Sequence, residues 1–174
     1  QGLSVPLAES SLIGTDIRCR GPMLITHWGL SGPAILRLSA WAAREIHAMS
    51  GPFEIEINWI PDINNPQTAL LAFKEAHGKK LITNSPALGL PKRLWQRLTG
   101  TVDVKPRTTW SGLRQDSLDR FCSILTQTRF KVSGKSRNKE EFVTCGGVEL
   151  KEIRFKTMKS RKTPGLYFAG ESLD

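Results

Sequence analysis

The strongest constraint on the fold is a run of alternating residues, FEIEINWI, at positions 53–60. From Phe53 to Trp59 every second residue is apolar, and the residues between them are Glu or Asn. Because successive side chains of a strand point to opposite faces, this pattern predicts a strand with one buried and one solvated face. Pro61 ends it. The chain is therefore expected to contain a sheet with one face packed against a core.

Helical spacing of apolar residues predicts four helices. The first runs from Pro33 to about His47, with Pro33 at its first position and Gly32 or Ser31 as its cap. The second begins at Asn65-Pro66 and is closed by Gly78. The other two are expected over 91–98 and 116–126, the last with Asp116 as its cap.

The remaining apolar runs predict further strands, and their order sets the fold class. Residues 22–26 form a short buried strand, 128–145 read as a hairpin, and VELKEI and the closing LYFA add to the β content. The order β, helix, β, three helices, β predicts an α+β fold: an antiparallel β-barrel-like domain with a helical insertion at about 64–126. Alternating βαβ units, and with them a Rossmann domain, are not predicted.

Basic residues exceed acidic ones, and the excess is concentrated. The chain carries 25 Lys+Arg and 16 Asp+Glu, a net charge of +9, and residues 129–162 hold eleven Lys/Arg against four Asp/Glu. This stretch either binds an anion, such as nucleic acid or a cofactor phosphate, or is a solvated hairpin with basic edges. The second interpretation is favoured, since Phe130 and Phe142 are expected in the core and not as a stacking platform.

Several protein classes are excluded or disfavoured. No apolar stretch approaches the roughly 18–20 residues of a membrane span. Cys19, Cys122 and Cys145 are too widely spaced for a zinc site or a disulfide scaffold, so reduced thiols in the cytoplasm and no metal are expected. No GxGxxG, P-loop, HExxH or GxSxG motif occurs, and no residue is assigned as a general acid or base.

Two glycine-containing segments are candidate ligand contacts. THWGLSGP (26–33) joins a strand to a helix N-terminus, where backbone N–H groups favour anions; it is either a ligand-contacting turn or a structural connection. TCGGVELKEI (144–153) places two adjacent glycines at a strand end, where a planar ligand could lie against the backbone or a bulge could form.

Three blocks of the sequence resemble one family. GPMLITHWGLSGPAILRLS, TCGGVELKEI and KTMKSRKTPGLYFAGESLD are similar to the YhiN-like (BaiN-type) flavoproteins, bacterial NAD(P)/FAD-dependent oxidoreductases. The resemblance extends from about Ser4 to Asp174 and is weak through the helical stretch. In that family a split FAD-binding domain holds an insert made of a β-barrel-like part and a helical part, and the chain returns through a GLYFAGE-type strand.

The resemblance implies roles for particular residues. Gly146, Gly147 and Val148 match a segment expected beside the isoalloxazine ring of FAD. Gly170 and Glu171 match the Gly-acid pair near the ribityl or pyrophosphate, and Asp174 matches the next acidic position. The turn from His27 to Gly32 is a candidate substrate-side contact, through His27, Gly29, Ser31 and Gly32.

The resemblance also implies an organisation and a function. Residues 1–63 and 127–163 would form the barrel-like insert domain, 64–126 the helical subdomain, and 164–174 the start of the returning FAD-binding segment. The chain is expected to be part of a longer enzyme, covering the flavin and shaping the substrate pocket, without holding FAD or catalysing a reaction alone. Its expected partners are the remaining FAD-binding halves, a small-molecule substrate and NAD(P)H, with neither a membrane nor nucleic acid expected. The alternative is a free-standing basic β-barrel that binds nucleic acid or another anion.

Overall fold

The computed structural model describes residues 2–102, 104–134, 146–170 and 172–173. The chain divides into two units, Gln1–Ser136 and Arg137–Asp174, each with its own internal contacts. The three-part division expected from the sequence stays a prediction.

Five antiparallel strands form the sheet of the first unit, in the order β3-β2-β1-β4-β5. The strands are β1 (Leu3–Leu12), β2 (Arg18–Ile25), β3 (Leu30–Ser31), β4 (Phe53–Asn58) and β5 (Thr128–Val132). The sheet curls into a half-barrel with helices beside it, which confirms the predicted barrel-like α+β class. As predicted, β4 buries Ile55 and Ile57 on one face, and Trp59 follows them into the core.

The central strand, β1, is not predicted from the sequence. It pairs with β2 on one side and β4 on the other, and its register shifts between Val5 and Ala8. Pro6 lies within this bulge and is exposed, a position that tolerates a residue without a backbone N–H. The bulge and the polar Ser10 interrupt the alternation that would reveal a strand. Ser10 is fully buried, and its hydroxyl donates to the carbonyl oxygens of Cys19 at 3.3 Å and Ala34 at 3.1 Å.

The first predicted helix is two helices, α1 (Pro33–Trp41) and α2 (Ala43–Ala48), separated at Ala42. α1 packs against β2 and β1 through Ala34 and Leu38, which are both buried. Gly32 is its N-cap residue, whereas Ser31 belongs to β3 and makes no capping bond. Pro33 follows at the first helical position, as the sequence predicts.

Three further helices build the helical region: α3 (Pro66–His77), α4 (Lys92–Thr101) and α5 (Gln115–Thr126). The Asn65 side chain caps α3, accepting from the Thr68 N–H at 3.0 Å. The predicted Asp116 cap is wrong: Arg114 occupies the N-cap position of α5 without a side-chain bond, and Asp116 lies in the first turn, where a carboxylate still suits the helix dipole.

The second unit has little regular structure. Two short strands, β6 (Ile153–Arg154) and β7 (Lys159–Ser160), pair antiparallel after a 3-10 turn at Leu150–Glu152. Only the end of the predicted strand VELKEI is therefore a strand, and the predicted LYFA strand is reduced to a single bridge between Tyr167 and Lys159. The predicted hairpin at 128–145 is not tested as a whole, since β5 pairs with β4 and residues 135–145 lie outside the described residues.

Gly32→Ala should destabilise the first unit by about 2–3 kcal/mol. Gly32 has φ +91°, and a Cβ there would lie 3.0 Å from both the Leu24 nitrogen and the Pro22 oxygen, which are backbone atoms that cannot move aside alone. Gly100→Ala in α4 is the matched control, because among the described residues outside its own helix backbone no atom lies within 4 Å of its Cβ position. Urea unfolding should show the control unchanged or more stable, by about 0.5–1 kcal/mol. Equal midpoints for the two variants would contradict the geometry at Gly32.

Candidate functional site

The structure brings two of the predicted cofactor segments together within the second unit. Val148 forms a parallel bridge with Leu173, and the Val148 N–H donates to the Ser172 carbonyl oxygen at 2.9 Å. Val148 therefore lies beside Ser172 and Leu173, which follow it by 24 and 25 positions in sequence. Glu171 and Asp174, also predicted to contact the cofactor, lie outside the described residues, as does Cys145.

The glycines of these segments present open backbone. Gly146 has φ +110° and Gly170 has φ +76°, conformations that disfavour any other residue. Apart from its chain neighbours, no described residue has an atom within 4 Å of a Cβ built on either. Gly146, Gly147 and Gly170 are all exposed, whereas Val148 is half-buried. The backbone is therefore open to solvent at these three glycines.

A short network of hydrogen bonds joins residues 152–153 to residues 161–162 in the same unit. The Arg161 backbone N–H donates to the Glu152 carbonyl at 2.8 Å, and its Nε donates to the Ile153 carbonyl at 3.2 Å. Ile153 is fully buried. The Glu152 carboxylate accepts from the Lys162 ammonium, and this hydrogen bond raises the pKa of Lys162. Since Lys162 is exposed, the ion pair contributes little to stability.

The predicted substrate-side turn is the tip of a hairpin between β2 and β3. The Thr26 N–H donates to the Gly29 carbonyl at 2.8 Å, while its hydroxyl accepts from the Gly29 N–H at 3.2 Å. His27 and Trp28 therefore occupy the two tip positions, with their ring centroids 3.5 Å apart. Trp28 is 73% exposed, although burying an indole is normally favourable.

The four predicted residues of this turn separate into two pairs. His27 and Gly29 are exposed at the tip. Ser31, which pairs with Leu24, and Gly32, which caps α1, are half-buried and serve the fold. Trp28 is not among the predicted contact residues. A large aromatic residue between the Thr and the Gly that form the turn is a sequence feature that could have identified it.

The described cysteines are poorly suited to nucleophilic chemistry. Burial raises the pKa of the Cys19 thiol, and burial with the nearby negative charge of Asp119 raises the pKa of the Cys122 thiol. Both thiols are free and stay protonated near neutral pH. The described residues contain no group of three or more side chains that could hold a metal ion. Within the same part of the chain, every helix is too short or too polar to span a lipid bilayer.

The basic charge has a second centre, in the helical region, that was not predicted. Residues 64–126 hold ten Lys/Arg and four Asp/Glu, a net charge of 10 − 4 = +6. Counting charge by predicted element, and not along the chain, would have found it. In the stretch 129–162, by contrast, several described cations have partners: Arg129 pairs with Glu56 at 3.1 Å, Lys151 with Glu149, and Lys162 with Glu152.

Comparison with known proteins gives one family match and three informative relatives. A family model described as the HI0933-like protein barrel and H2TH domain matches residues 1–143. The chain is 35% identical over 174 residues to a protein of Escherichia coli (strain K12) named ribosomal RNA dihydrouridine synthase. It is 31% identical over 176 residues to the protein of the same name from Haemophilus influenzae.

The third relative carries a different name. It is the 3-dehydro-bile acid delta(4,6)-reductase of Clostridium scindens, 23% identical over 181 residues. Each alignment covers 99% of this chain, but only 40% of the two synthases and 43% of the reductase. The chain therefore spans about two-fifths of the length of these relatives.

Ile153→Ala should loosen the second unit by about 2–5 kcal/mol, because it removes the side chain that is fully buried there. The loss should appear as at least about tenfold faster hydrogen exchange of the Val148 amide, which is bonded to Ser172. Leu150→Ala, at a residue that is 45% exposed, is the control and should change this rate little. An unchanged Val148 rate in the Ile153 variant would show that the pairing does not depend on this core.

Proposed function

The chain belongs to the HI0933-like barrel and H2TH domain family, a family of FAD-dependent oxidoreductases, and on this basis we propose that it is the substrate-side part of an FAD-dependent enzyme that reduces uridine to dihydrouridine in ribosomal RNA. YhiN- and BaiN-like flavoproteins share this family, which confirms the resemblance at that level. Since the chain spans about two-fifths of its relatives, the activity would belong to the longer protein.

One observation supports the proposal that the longer protein binds FAD. The bond between the Val148 N–H and the Ser172 carbonyl joins the two segments that the family resemblance assigns to FAD. The open glycines on either side fit the approach of a flat group, and FAD in the longer protein would be held in part by Gly146, Gly147 and Gly170. Glu171 and Asp174 stay predicted contacts. This chain alone is not expected to retain the cofactor.

The names of the relatives support the proposal that the substrate is ribosomal RNA. The two relatives at 35% and 31% identity are named for ribosomal RNA, whereas the bile acid reductase is at 23%. An RNA substrate departs from the expectation of a small molecule, and it combines the flavoprotein prediction with the alternative of nucleic-acid binding. Action on ribosomal RNA also agrees with the predicted cytoplasmic location.

The reaction requires few general acid or base residues from this chain. Uridine becomes dihydrouridine when its C5–C6 double bond is saturated, with one carbon receiving a hydride equivalent and the other a proton. FAD, when bound and reduced by NADH or NADPH, supplies the two electrons. The residues described here would position the base and exclude water, and we assign none of them as the proton donor.

The hairpin tip is suited to positioning a base. A uridine within structured RNA must leave its stack before a cofactor can reach its C5–C6 bond, and aromatic side chains stabilise a base that has lost its neighbours. Trp28 and His27 present rings at the exposed tip, and the Thr26–Gly29 bonds hold that tip closed. We propose that Trp28 stacks on the target base or on a flanking one.

The experiment that tests the proposal uses the full-length protein. It should be yellow from bound FAD and, with NADH or NADPH, should convert uridine in dihydrouridine-free ribosomal RNA, detected by mass spectrometry as a gain of two hydrogen atoms. A colourless protein would refute the proposal that the enzyme binds FAD. A flavoprotein that reduces a conjugated steroid ketone but leaves RNA unchanged would instead favour the small-molecule reductase suggested by the Clostridium relative.

Gly170→Val in the full-length protein should weaken FAD binding by about tenfold or more, because a side chain would fill the open space beside the cofactor. Gly165→Val is a closely matched control: Gly165 also has a positive φ, +80°, and open surroundings, but lies outside the paired segments. Both variants carry similar backbone strain. Equal FAD content after purification and dialysis would argue against a cofactor contact at Gly170.

Trp28→Ala should lower kcat/KM for ribosomal RNA by about tenfold, the loss expected for one stacking contact. Trp41→Ala is the control, since Trp41 is equally exposed, at 71% against 73%, but lies at the end of α1. FAD content and the rate of flavin reduction by NAD(P)H should stay unchanged in both variants. The same loss at Trp41 would remove the case for a specific role of the hairpin tip.

A further inference from the structure

We propose that the helical region binds the phosphate backbone of folded RNA through a basic surface on α4 made of Lys92, Arg93 and Arg97. This inference rests on the proposed function, because it names the surface that holds the RNA while a uridine is reduced. It concerns α4, a part of the chain in which no site is predicted from the sequence.

The fold fixes which face of α4 carries these cations. The Ile82 N–H donates to the Thr108 carbonyl at 3.1 Å, and the Trp110 N–H donates to the Lys80 carbonyl at 3.0 Å. The Ile82 carbonyl accepts from the Trp95 indole at 2.6 Å, which ties α4 to the same place. Because the Trp95 side of α4 is turned toward Ile82, the cations of the helix lie on its opposite, exposed face.

On α4 the cations form one exposed stripe. Lys92, Arg93 and Arg97 are exposed, together with Gln96, while the opposite face buries Leu94, Trp95 and Leu98. Arg93 and Arg97 are four residues apart, so two like charges are adjacent on the helix surface, an arrangement that costs stability. The first turn of α4 contains no acidic residue to offset its cations. A polyanion would neutralise this repulsion.

Among the described residues, no ion pair involves any of the three cations of the basic surface. The Asp119 carboxylate of α5 accepts from the amides of Gln67 and Gln115, at 2.9 and 3.0 Å. Arg129, Lys151 and Lys162 of the stretch 129–162 are paired, which is why the helical surface is the stronger candidate.

The side chains of α4 also indicate which kind of polyanion binds. Trp95 and Trp110 are fully buried, so no indole of the helical region is available to stack on a base. The exposed positions of α4 are Lys, Arg, Gln, Thr and Gly, without the apolar anchor that a protein partner would need. Contacts of this kind read phosphates and groove shape, as in double-stranded RNA.

The test measures binding of the full-length, FAD-loaded protein to a fluorescent RNA duplex of arbitrary sequence over a salt series. Replacing Lys92, Arg93 and Arg97 together by Gln should weaken binding about tenfold or more near physiological salt and reduce the slope of log K against log salt by about 2–3. Gln preserves helix propensity at these exposed positions, and a thermal melt checks folding.

A second triple variant is the matched control. Lys131→Gln, Arg154→Gln and Lys156→Gln remove the same number of exposed charges from the stretch 129–162 and should change affinity and slope far less. Equal losses in the two triple variants, or unchanged binding in the α4 variant, would overturn the proposal. Equal competition by a poly-glutamate chain of matched charge would overturn the choice of nucleic acid as the partner.

Failure of this proposal and failure of the proposed function give different results. If the α4 variant binds RNA normally and still reduces uridine, the function stands and the RNA is held elsewhere. If the wild-type protein binds the duplex through α4 but does not reduce uridine, the surface stands and the reaction is wrong.

Discussion

The burial of Trp95 is the interaction on which the helical region depends. Its indole lies between Trp110, with centroids 5.7 Å apart, and Phe121, at 5.4 Å, and its N–H donates to the Ile82 carbonyl. A buried Trp contributes about 3–5 kcal/mol, and its N–H must find an acceptor there. Together these requirements fix the rotation of α4 about its axis. The Lys and Arg side chains of the helix are then exposed, because they lie on the face opposite Trp95.

The fold could be predicted from the sequence wherever one local interaction determines the structure of a segment. The alternation of β4 reports a strand with one buried face, and Asn65-Pro66 reports the start of α3 through a cap and a fixed φ. β1 could not be predicted because the features that allow it to form involve residues distant in the sequence. Pro6 fits only at a bulge, and the buried Ser10 is acceptable only because Cys19 and Ala34 supply hydrogen-bond acceptors. Asp116 failed as a cap because a carboxylate suits both the cap and the first turn.

The candidate sites were partly readable for the same reason. The family resemblance named Gly146 and Gly170, and the backbone pairing of Val148 with Leu173 agrees with treating their segments as one site. Local sequence could not separate Ser31 and Gly32, which serve the fold, from Trp28, which is exposed. The basic surface was missed because a count of charge along the chain does not show that Lys92, Arg93 and Arg97 share the face of α4 that the burial of Trp95 leaves exposed.

We propose different tasks for different parts of the chain: open glycines for the cofactor, an aromatic tip for a base, and cations for RNA phosphates. Ultraviolet crosslinking of the full-length holoprotein to ribosomal RNA, with the crosslinked peptides identified by mass spectrometry, tests this division most directly. We expect crosslinks in the peptide that contains Trp28 and in peptides of α4. Crosslinks confined to 146–173, or no crosslinks in either expected region with RNA that the protein binds, would show that the RNA is held elsewhere.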